Sequence, residues 1–129
     1  MNIAILDDSA EDLNQVKSVI SSYYESQNIS AEICLFSSAE AFFQKYSPEF
    51  YDLIIMDIYM GNMTGMDAAK KLRNAEDPAA LIFITSSDAY AVESYDVQAF
   101  YYLLKPFDPE KLCRILSTIQ LRQSQNSRY

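Results

Sequence analysis

Short apolar runs alternate with helical periodicity from one end of the chain to the other. Five runs of about five residues are continuously apolar: Ile3–Leu6, Ile33–Phe36, Leu53–Met56, Leu81–Ile84 and Phe100–Leu104. A run that is apolar throughout, rather than at alternate positions, is typical of a strand buried on both faces, as in a parallel sheet. The pattern therefore predicts five parallel strands.

The segments between these runs have apolar residues at helical spacing. The stripes are Leu13, Val16, Ile20 and Tyr23; Ala39, Phe42, Phe43 and Tyr46; Met66, Ala69 and Leu72; and Leu112, Ile115, Leu116 and Ile119. Residues three and four apart share one face of a helix, so each stripe predicts an amphipathic helix. A further short helix is predicted between Asp88 and Tyr95.

Three of the predicted helices carry starting signals. Asp8–Glu11 and Ser37–Glu40 both resemble capping boxes, in which a side chain accepts from a backbone N–H without a helical partner. Asp108 precedes Pro109, which places a cap before a proline at the first helical position.

Strand and helix thus alternate five times, which predicts a single α/β domain. Because crossovers between parallel strands are right-handed, such a chain winds into an open, doubly wound sheet with helices on both faces. We expect this domain to span residues 1–122. The polar residues 123–129 are expected to form a tail or the start of a linker.

Composition narrows the chemistry. The 129 residues include 18 acidic and 10 basic side chains, for a formal net charge of -8, and no histidine. The absence of histidine excludes Ser-His-Asp and Cys-His catalysis, His-bound zinc and phosphohistidine. The negative charge argues against direct nucleic-acid binding. With no apolar run near the ~18 residues of a membrane span and no signal peptide, we expect a soluble, cytoplasmic domain.

Polar residues follow the apolar runs at one predicted edge of the sheet. Asp7 and Asp8 follow the first run, Asp57 the third, Thr85 the fourth and Lys105 the fifth. Ligands of open α/β sheets bind at the carboxyl ends of the strands. Carboxylates held close together repel unless a cation lies between them, and Mg²⁺ prefers a few carboxylates with water and phosphate oxygens. The sequence therefore predicts a magnesium site.

Such a site is suited to phosphoryl transfer. Asp57, alone at the end of the central strand, is the natural nucleophile, and its carboxylate would form an acyl phosphate. Asp7 and Asp8 would hold the metal. The Lys105 ammonium and the Thr85 hydroxyl would stabilise charge on the phosphoryl oxygens.

These residues resemble the receiver domain of two-component response regulators. The matching segments are Asp7-Asp8, Met56–Met60 with Gly65, Ile84–Ser86, and Tyr102–Phe107, and they cover essentially the whole chain. The resemblance implies a (βα)5 flavodoxin-like or CheY-like sandwich with strand order 2-1-3-4-5. The segment Asp88–Glu93 and the Tyr-Leu-Leu-Lys-Pro-Phe string are most similar to receivers attached to LytTR-type DNA-binding domains.

The resemblance also implies a role for each residue. Asp57 would accept a phosphoryl group from a sensor histidine kinase, and Mg²⁺ would be bound by Asp8, Asp57 and the backbone carbonyl of Tyr59, with Asp7 acting through water. The remaining implied roles are phosphoryl binding by Lys105, a switch formed by Thr85 and Tyr102, and a cis bond before Pro106.

A signalling switch, rather than an enzyme that turns over a substrate, is therefore the leading hypothesis. The resemblance implies that phosphorylation changes the face formed by the predicted fourth helix (between Asp88 and Tyr95), the fifth strand and the last helix. This face would contact an output domain, one that controls transcription, or a second receiver in a homodimer.

Two other classes of protein stay open. One is a receiver-fold interaction module that works without phosphorylation. The other is an enzyme of the same topology, such as a flavodoxin or an aspartyl phosphatase. Against these, Asp7-Asp8 would repel an unmetallated phosphate, and Tyr59 stands where an aspartyl phosphatase needs a second acid.

Overall fold

A computed structural model describes residues 1–126 of the chain, and a parallel five-stranded sheet forms its centre. The strands are β1 (Asn2–Leu6), β2 (Glu32–Phe36), β3 (Leu53–Met56), β4 (Ala80–Thr85) and β5 (Tyr101–Leu104). Their order is β2-β1-β3-β4-β5, and every pairing is parallel. The predicted strands and their order are therefore confirmed, with each end within one residue of the predicted position.

Burial separates the central strands from the edge strands. β3 is buried along its whole length, and β1 and β4 are buried after their first residue. β2 and β5 are only partly buried, because each lies at an edge of the sheet and has one neighbouring strand. The prediction of strands buried on both faces thus holds for the three central strands only.

Four α-helices cover the two faces of this sheet within the described residues. They are α1 (Ala10–Ser26), α2 (Ala39–Gln44), α3 (Gly65–Asn74) and α4 (Pro109–Asn126). The buried side chains of α1 and α4 pack on one face with Ile3 and Ile5, and those of α2 and α3 pack on the other with Ala4 and Leu6. Successive strand residues point to opposite faces, so one strand supplies both cores.

The structure shifts two predicted helix starts by one residue. Ser9, not Asp8, caps α1 and accepts from the Asp12 N–H at 3.2 Å. Ser38, not Ser37, caps α2 in the same way. The shift has a consequence for the site, because the Asp8 side chain is released from capping. The predicted cap before Pro109 is present, since Asp108 accepts from the Glu110 N–H.

The buried stripe of α1 ends on Tyr24 rather than on the predicted Tyr23. Tyr24 is 1% exposed, and it lies one helical turn after Ile20 on the same stripe. Tyr23 lies at the border of the stripe, half-buried, and its hydroxyl donates to Gln120 on α4 at 2.7 Å.

The prediction of a fourth α-helix between Asp88 and Tyr95 is wrong. This segment folds into consecutive turns with a 3-10 helix at Glu93–Tyr95. Its hydrogen bonds mostly span three residues, as from the Tyr95 N–H to the Val92 carbonyl. Val92 and Tyr95 are 82% and 81% exposed, so the segment has no continuous apolar stripe to pack against the sheet. Without such packing, a short stretch does not hold an α-helix.

The last helix runs through the beginning of the expected tail. α4 continues to Asn126, whereas residues 127–129 of the expected tail lie outside the described residues. The division into 1–122 and 123–129 stays a prediction. No helix among residues 1–126 is both long enough and apolar enough to cross a membrane.

Candidate functional site

The sheet itself fixes the backbone of three predicted site residues. The Asp7 N–H donates to the Phe36 carbonyl at 3.1 Å, and the Asp57 N–H donates to the Leu6 carbonyl at 3.0 Å. The Lys105 N–H donates to the Thr85 carbonyl at 2.8 Å. Each bond continues the ladder of a strand pair by one residue. These side chains therefore start from rigid positions at the carboxyl edge.

The Lys105 ammonium connects the carboxylates of this edge. Its Nζ lies 2.7 Å from Asp7 Oδ2, 2.7 Å from Asp12 Oδ2 and 3.0 Å from Asp57 Oδ2. An ammonium has three N–H donors, so each one has a carboxylate oxygen. The Lys105, Asp7 and Asp57 side chains are 17%, 6% and 10% exposed, which makes the cluster largely buried.

Burial and charge act in opposite directions on these groups. Burial raises the pKa of the Asp7 carboxyl above its usual value, and the hydrogen bond from Lys105 only partly offsets it. Burial alone would lower the pKa of Lys105, but its hydrogen bonds with Asp12, Asp7 and Asp57 outweigh burial and raise it. The lysine therefore stays a cation, and it is the counter-charge that keeps the carboxylates together.

Backbone N–H groups hold the second oxygen of two carboxylates. Asp57 Oδ1 accepts from the Ile58 N–H at 2.6 Å and lies 3.4 Å from the Tyr59 N. Asp7 Oδ1 accepts from the Ser9 N–H at 3.0 Å. Each carboxylate thus has one oxygen on fixed backbone and the other on Lys105, an arrangement that fixes its orientation.

The two predicted switch residues both contact the backbone of one residue, Ser87. Thr85 is fully buried, and its hydroxyl oxygen accepts from the Ser87 N–H at 3.4 Å. The Tyr102 hydroxyl donates to the Ser87 carbonyl. A displacement of Ser87 would therefore be felt by both side chains. The Lys105–Pro106 bond that follows β5 is cis.

The Asp8 side chain and the Tyr59 ring lie outside the Lys105 cluster, whereas the Tyr59 backbone, whose carbonyl is the predicted ligand, stays beside Asp57. The Asp8 side chain is exposed, since Ser9 has replaced it as the cap of α1. Tyr59 is 48% exposed, and its ring packs edge-on against Tyr90 with centroids 5.9 Å apart. The structure therefore brings together Asp7, Asp57 and Lys105, and places Asp8 and Tyr59 at the rim.

The carboxylate oxygens of this site are the type of ligand that Mg²⁺ prefers, although the Lys105 ammonium lies between them. Among residues 1–126, no three acidic, cysteine or histidine side chains converge in a way that could hold a metal ion. Mg²⁺ does not need such a cage, because it binds through one or two carboxylates and keeps several waters. Asp7 and Asp57 supply hard oxygen donors around one ammonium, and Asp8 adds an exposed carboxylate directly after Asp7 in the chain, so the residues present fit this ion.

Sequence reasoning missed Asp12 as a member of the site. The residue lies in the first turn of α1, not at the end of a strand, so inspection of strand ends does not find it. The available signal was the start of the helix. With Ser9 as the cap, Asp12 is the third helical residue and lies where the first turn approaches the sheet.

The loop after Asp57 is closed tightly at its base. The Gly65 N–H donates to the Ile58 carbonyl at 2.7 Å, and a Cβ at Gly65 would lie 2.1 Å from the Asp57 carbonyl oxygen. Only glycine allows this approach. At the tip, Gly61 has φ +96, a conformation that proline cannot adopt.

Sequence comparison identifies relatives of this chain. Relatives include the sensory transduction protein LytT of Bacillus subtilis, with 34% identity over 89 residues, or 69% of this chain and 37% of the relative. LytT of Bacillus cereus is 27% identical over 116 residues, or 90% of this chain and 46% of the relative. The chain spans less than half the length of these relatives.

Solved structures share the fold. The response regulatory domain of mrkE from Klebsiella pneumoniae superposes with a TM-score of 0.83 at 22% identity, covering 97% of this chain and 99% of that one. A BeF3-activated DrrB receiver domain gives 0.78 at 19% identity, covering 92% and 96%. The family described as "Response regulator receiver domain" matches residues 3–117. The chain therefore belongs to the response regulator receiver domains.

Proposed function

We propose that this receiver domain accepts a phosphoryl group on Asp57 and passes the signal on by a change of conformation. The observation that carries the proposal is the Lys105 ammonium, 3.0 Å from Asp57 Oδ2 and 2.7 Å from Asp7 Oδ2. A cation fixed beside one buried carboxylate is what a transferred phosphoryl group requires on its oxygens. The domain would act as a switch, not as an enzyme with a released product.

The reaction is a transfer from a phosphorylated donor. An Asp57 carboxylate oxygen forms a bond to phosphorus, while the bond between phosphorus and the donor breaks and its electron pair leaves with the donor. With a phosphohistidine donor whose second ring nitrogen carries a proton, the electron pair of the broken P–N bond stays on the departing nitrogen and the histidine leaves as neutral imidazole. This chain has no histidine, so that donor would belong to a separate sensor kinase.

Within the site, each residue would have one task. Lys105 would direct an N–H to a phosphoryl oxygen, and the Thr85 hydroxyl would donate to another. Mg²⁺ would be held by Asp8, Asp57 and the Tyr59 carbonyl, with Asp7 acting through water, and it would neutralise charge on the phosphoryl oxygens. Asp7 and Asp57 are buried beside each other's charge, so a divalent cation would relieve their repulsion.

The LytT relatives suggest the setting of the switch. We infer a cytoplasmic, bacterial regulator in which a sensor histidine kinase is the donor and a LytTR-type output domain controls transcription. The surface that would transmit the signal contains Tyr102 and the exposed side chains of Val92, Tyr95 and Leu104. It could dock the output domain or a second receiver. In this chain a 3-10 helix and turns stand where an α-helix was expected.

Acetyl phosphate, a small phosphodonor, tests the proposal directly. After incubation with Mg²⁺, intact-mass spectrometry should show one added phosphoryl group on the wild type and none on Asp57→Asn. Asp88→Asn is the matched control, because Asp88 is an exposed aspartate in the turns after β4 and should leave labelling unchanged. Absence of phosphoryl mass on the wild type would overturn the proposal.

Metal dependence forms a second test. Chelation of Mg²⁺ should abolish labelling, and Asp8→Asn should raise the Mg²⁺ concentration needed for half-maximal labelling at least about tenfold.

Beryllofluoride with Mg²⁺ should change the amide NMR spectrum around Thr85 and Tyr102. A spectrum that stays unchanged, in a protein that does not label, would favour the phosphorylation-independent interaction module.

A further inference from the structure

Lys105 has a partner for each of its N–H groups, and one of these partners, Asp12, is not among the predicted site residues. Asp12 Oδ2 lies 2.7 Å from Lys105 Nζ, closer than Asp57 Oδ2 at 3.0 Å. The Asp12 carboxylate therefore takes a full share of the only cation in this cluster of described side chains.

The start of α1 determines this contact. The Ser9 hydroxyl accepts from the Asp12 N–H at 3.2 Å, which fixes the first turn of the helix against the sheet edge. Glu11, the neighbouring acid in the same turn, is exposed. Two adjacent acids thus have different surroundings, because consecutive helical residues point in directions about 100° apart.

Asp12 is the member of the cluster nearest to solvent. Its side chain is 33% exposed, compared with 6% for Asp7 and 10% for Asp57. The backbone hydrogen bonds described above anchor Asp7 and Asp57. A partly exposed ion pair contributes little stability, so the Asp12 pair can open at small cost.

Space for such an opening is present beside the pair. A cavity of about 300 Å³ is lined by Asp12, Gln15, Val16, Lys105, Pro106 and Phe107, among others. The Lys105 and Asp12 side chains can therefore separate without displacement of the sheet or of α1.

We propose that Asp12 is a positioning residue that restrains Lys105 in the unphosphorylated state and so slows phosphorylation of Asp57. The inference rests on the proposed phosphoryl transfer. A phosphoryl group brings further negative charge to Asp57, and Lys105 must turn an N–H and its charge toward it. Asp12 competes for that charge and also repels the incoming anion. Asp12 is a brake on the reaction, whereas Asp7 belongs to the machinery.

The test compares labelling rates by acetyl phosphate at saturating Mg²⁺. Asp12→Asn removes the charge but keeps the size and the helix start, and it should label about threefold to fivefold faster than the wild type, as expected for loss of a partly exposed ion pair. Asp12→Glu keeps the charge and should stay near the wild-type rate. Glu11→Gln is the matched control, since it removes the same charge from the same turn, and its rate should also stay near wild type.

Salt separates an electrostatic restraint from a structural effect. The rate ratio of Asp12→Asn to wild type should fall toward one as ionic strength rises from about 0.01 M to 1 M, because the Debye length shrinks from about 30 Å to 3 Å. A ratio that is independent of salt would contradict the restraint.

Failure of the inference differs from failure of the proposed function. If the wild type labels and Asp12→Asn labels no faster, or more slowly, Asp12 is not a brake although Asp57 is the acceptor. If the wild type does not label at all, both fall together.

Discussion

The carboxyl ends and the amino ends of the strands, which we call the carboxyl edge and the amino edge, both contain a charge network. The two networks are built from different partners. At the carboxyl edge, Lys105 is held by the side chains of Asp7, Asp12 and Asp57. At the amino edge, Arg73 donates to four backbone carbonyls, two of them before β4 and two before β5: those of Asp77, Ala79, Val97 and Gln98.

Asp77 completes the amino edge in the same manner. It is 2% exposed, and its carboxylate accepts from the Glu49 N–H at 3.1 Å, from the Ala79 N–H at 3.0 Å and from the Tyr46 hydroxyl. Backbone partners cannot leave without local unfolding, whereas side-chain partners can exchange for a phosphoryl group or a metal ion. Similar charges thus form a network with fixed backbone partners at the amino edge and one with exchangeable side-chain partners, as the proposed switch requires, at the carboxyl edge.

The larger cavity does not lie at the edge that contains the candidate site. A cavity of about 620 Å³ lies at the amino edge beside Arg73 and Asp77, whereas the cavity beside Lys105 is about 300 Å³. The polar groups of Arg73 and Asp77 are already satisfied by the fold. We therefore assign the chemistry to the smaller cavity, where the charged partners are exchangeable.

The amino edge should show the largest effect when it is broken. Arg73→Met removes the four hydrogen bonds from Arg73 to the Asp77, Ala79, Val97 and Gln98 carbonyls. Because these carbonyls lose a charged donor, the free energy of unfolding, measured by urea denaturation, should fall by about 3 kcal/mol. Arg114→Met, which removes an exposed arginine from α4, should cost less than about 0.5 kcal/mol. Mg²⁺ should not restore the stability of Arg73→Met. Restoration would contradict the distinction between fixed backbone partners at the amino edge and exchangeable side-chain partners at the carboxyl edge.

The carboxyl edge should respond to a replacement cation. Lys105→Met leaves Asp7, Asp12 and Asp57 without their shared counter-charge and should cost about 2 kcal/mol in the absence of metal. Millimolar Mg²⁺ should recover a larger part of this loss than it adds to the wild type. Thermal unfolding with and without Mg²⁺ measures both quantities, and equal shifts for the two proteins would argue against exchange of cations at this edge.

The smallest effect concerns Asp7 and depends on pH. Burial raises the folded-state pKa of Asp7, so its stabilising contribution is present below the unfolded pKa and is lost as pH rises through the folded pKa. Ionised Asp7 therefore costs stability at pH 7, and Asp7→Asn should be more stable than the wild type there.

This gain should disappear well below the unfolded-state pKa of about 3.9, where the wild-type carboxyl is protonated in both states. Urea unfolding at the two pH values measures the change. Asp8→Asn, at an exposed position, should alter stability little at either pH. A loss of stability in Asp7→Asn at pH 7 would mean that attraction to Lys105 exceeds the cost of burial.

The sequence was most informative where one local rule acted alone. Continuous apolar runs predicted all five strands, and the positions after four of these runs predicted Asp7, Asp57, Thr85 and Lys105 at one edge. The stripe of α4 was equally clear, since Leu112, Ile115, Leu116 and Ile119 are all buried. In these cases, burial of a strand or of one helix face determines the structure, and burial is visible in the residue types.

Features that depend on tertiary contacts were not predictable. Arg73 and Asp12 look like ordinary surface charges of helices, and only the folded chain shows the carbonyls or the lysine that they reach. The segment from Asp88 to Tyr95 has residues that suit a helix, but Val92 and Tyr95 have no surface in this domain to pack against. A shift of one residue in the cap of α1 decided which acid faces Lys105.

The loop between β3 and α3 divides into a part that cannot vary and a part that can. At Gly65, any side chain would collide with the Asp57 carbonyl, whereas a Cβ at Gly61 would meet no atom within 4 Å. Substitutions at the tip are therefore limited mainly by the positive φ of Gly61, and those at the base by collision with the Asp57 backbone. In evolutionary terms, the tip can tolerate more single changes than the base, where any side chain at position 65 would displace the Asp57 backbone.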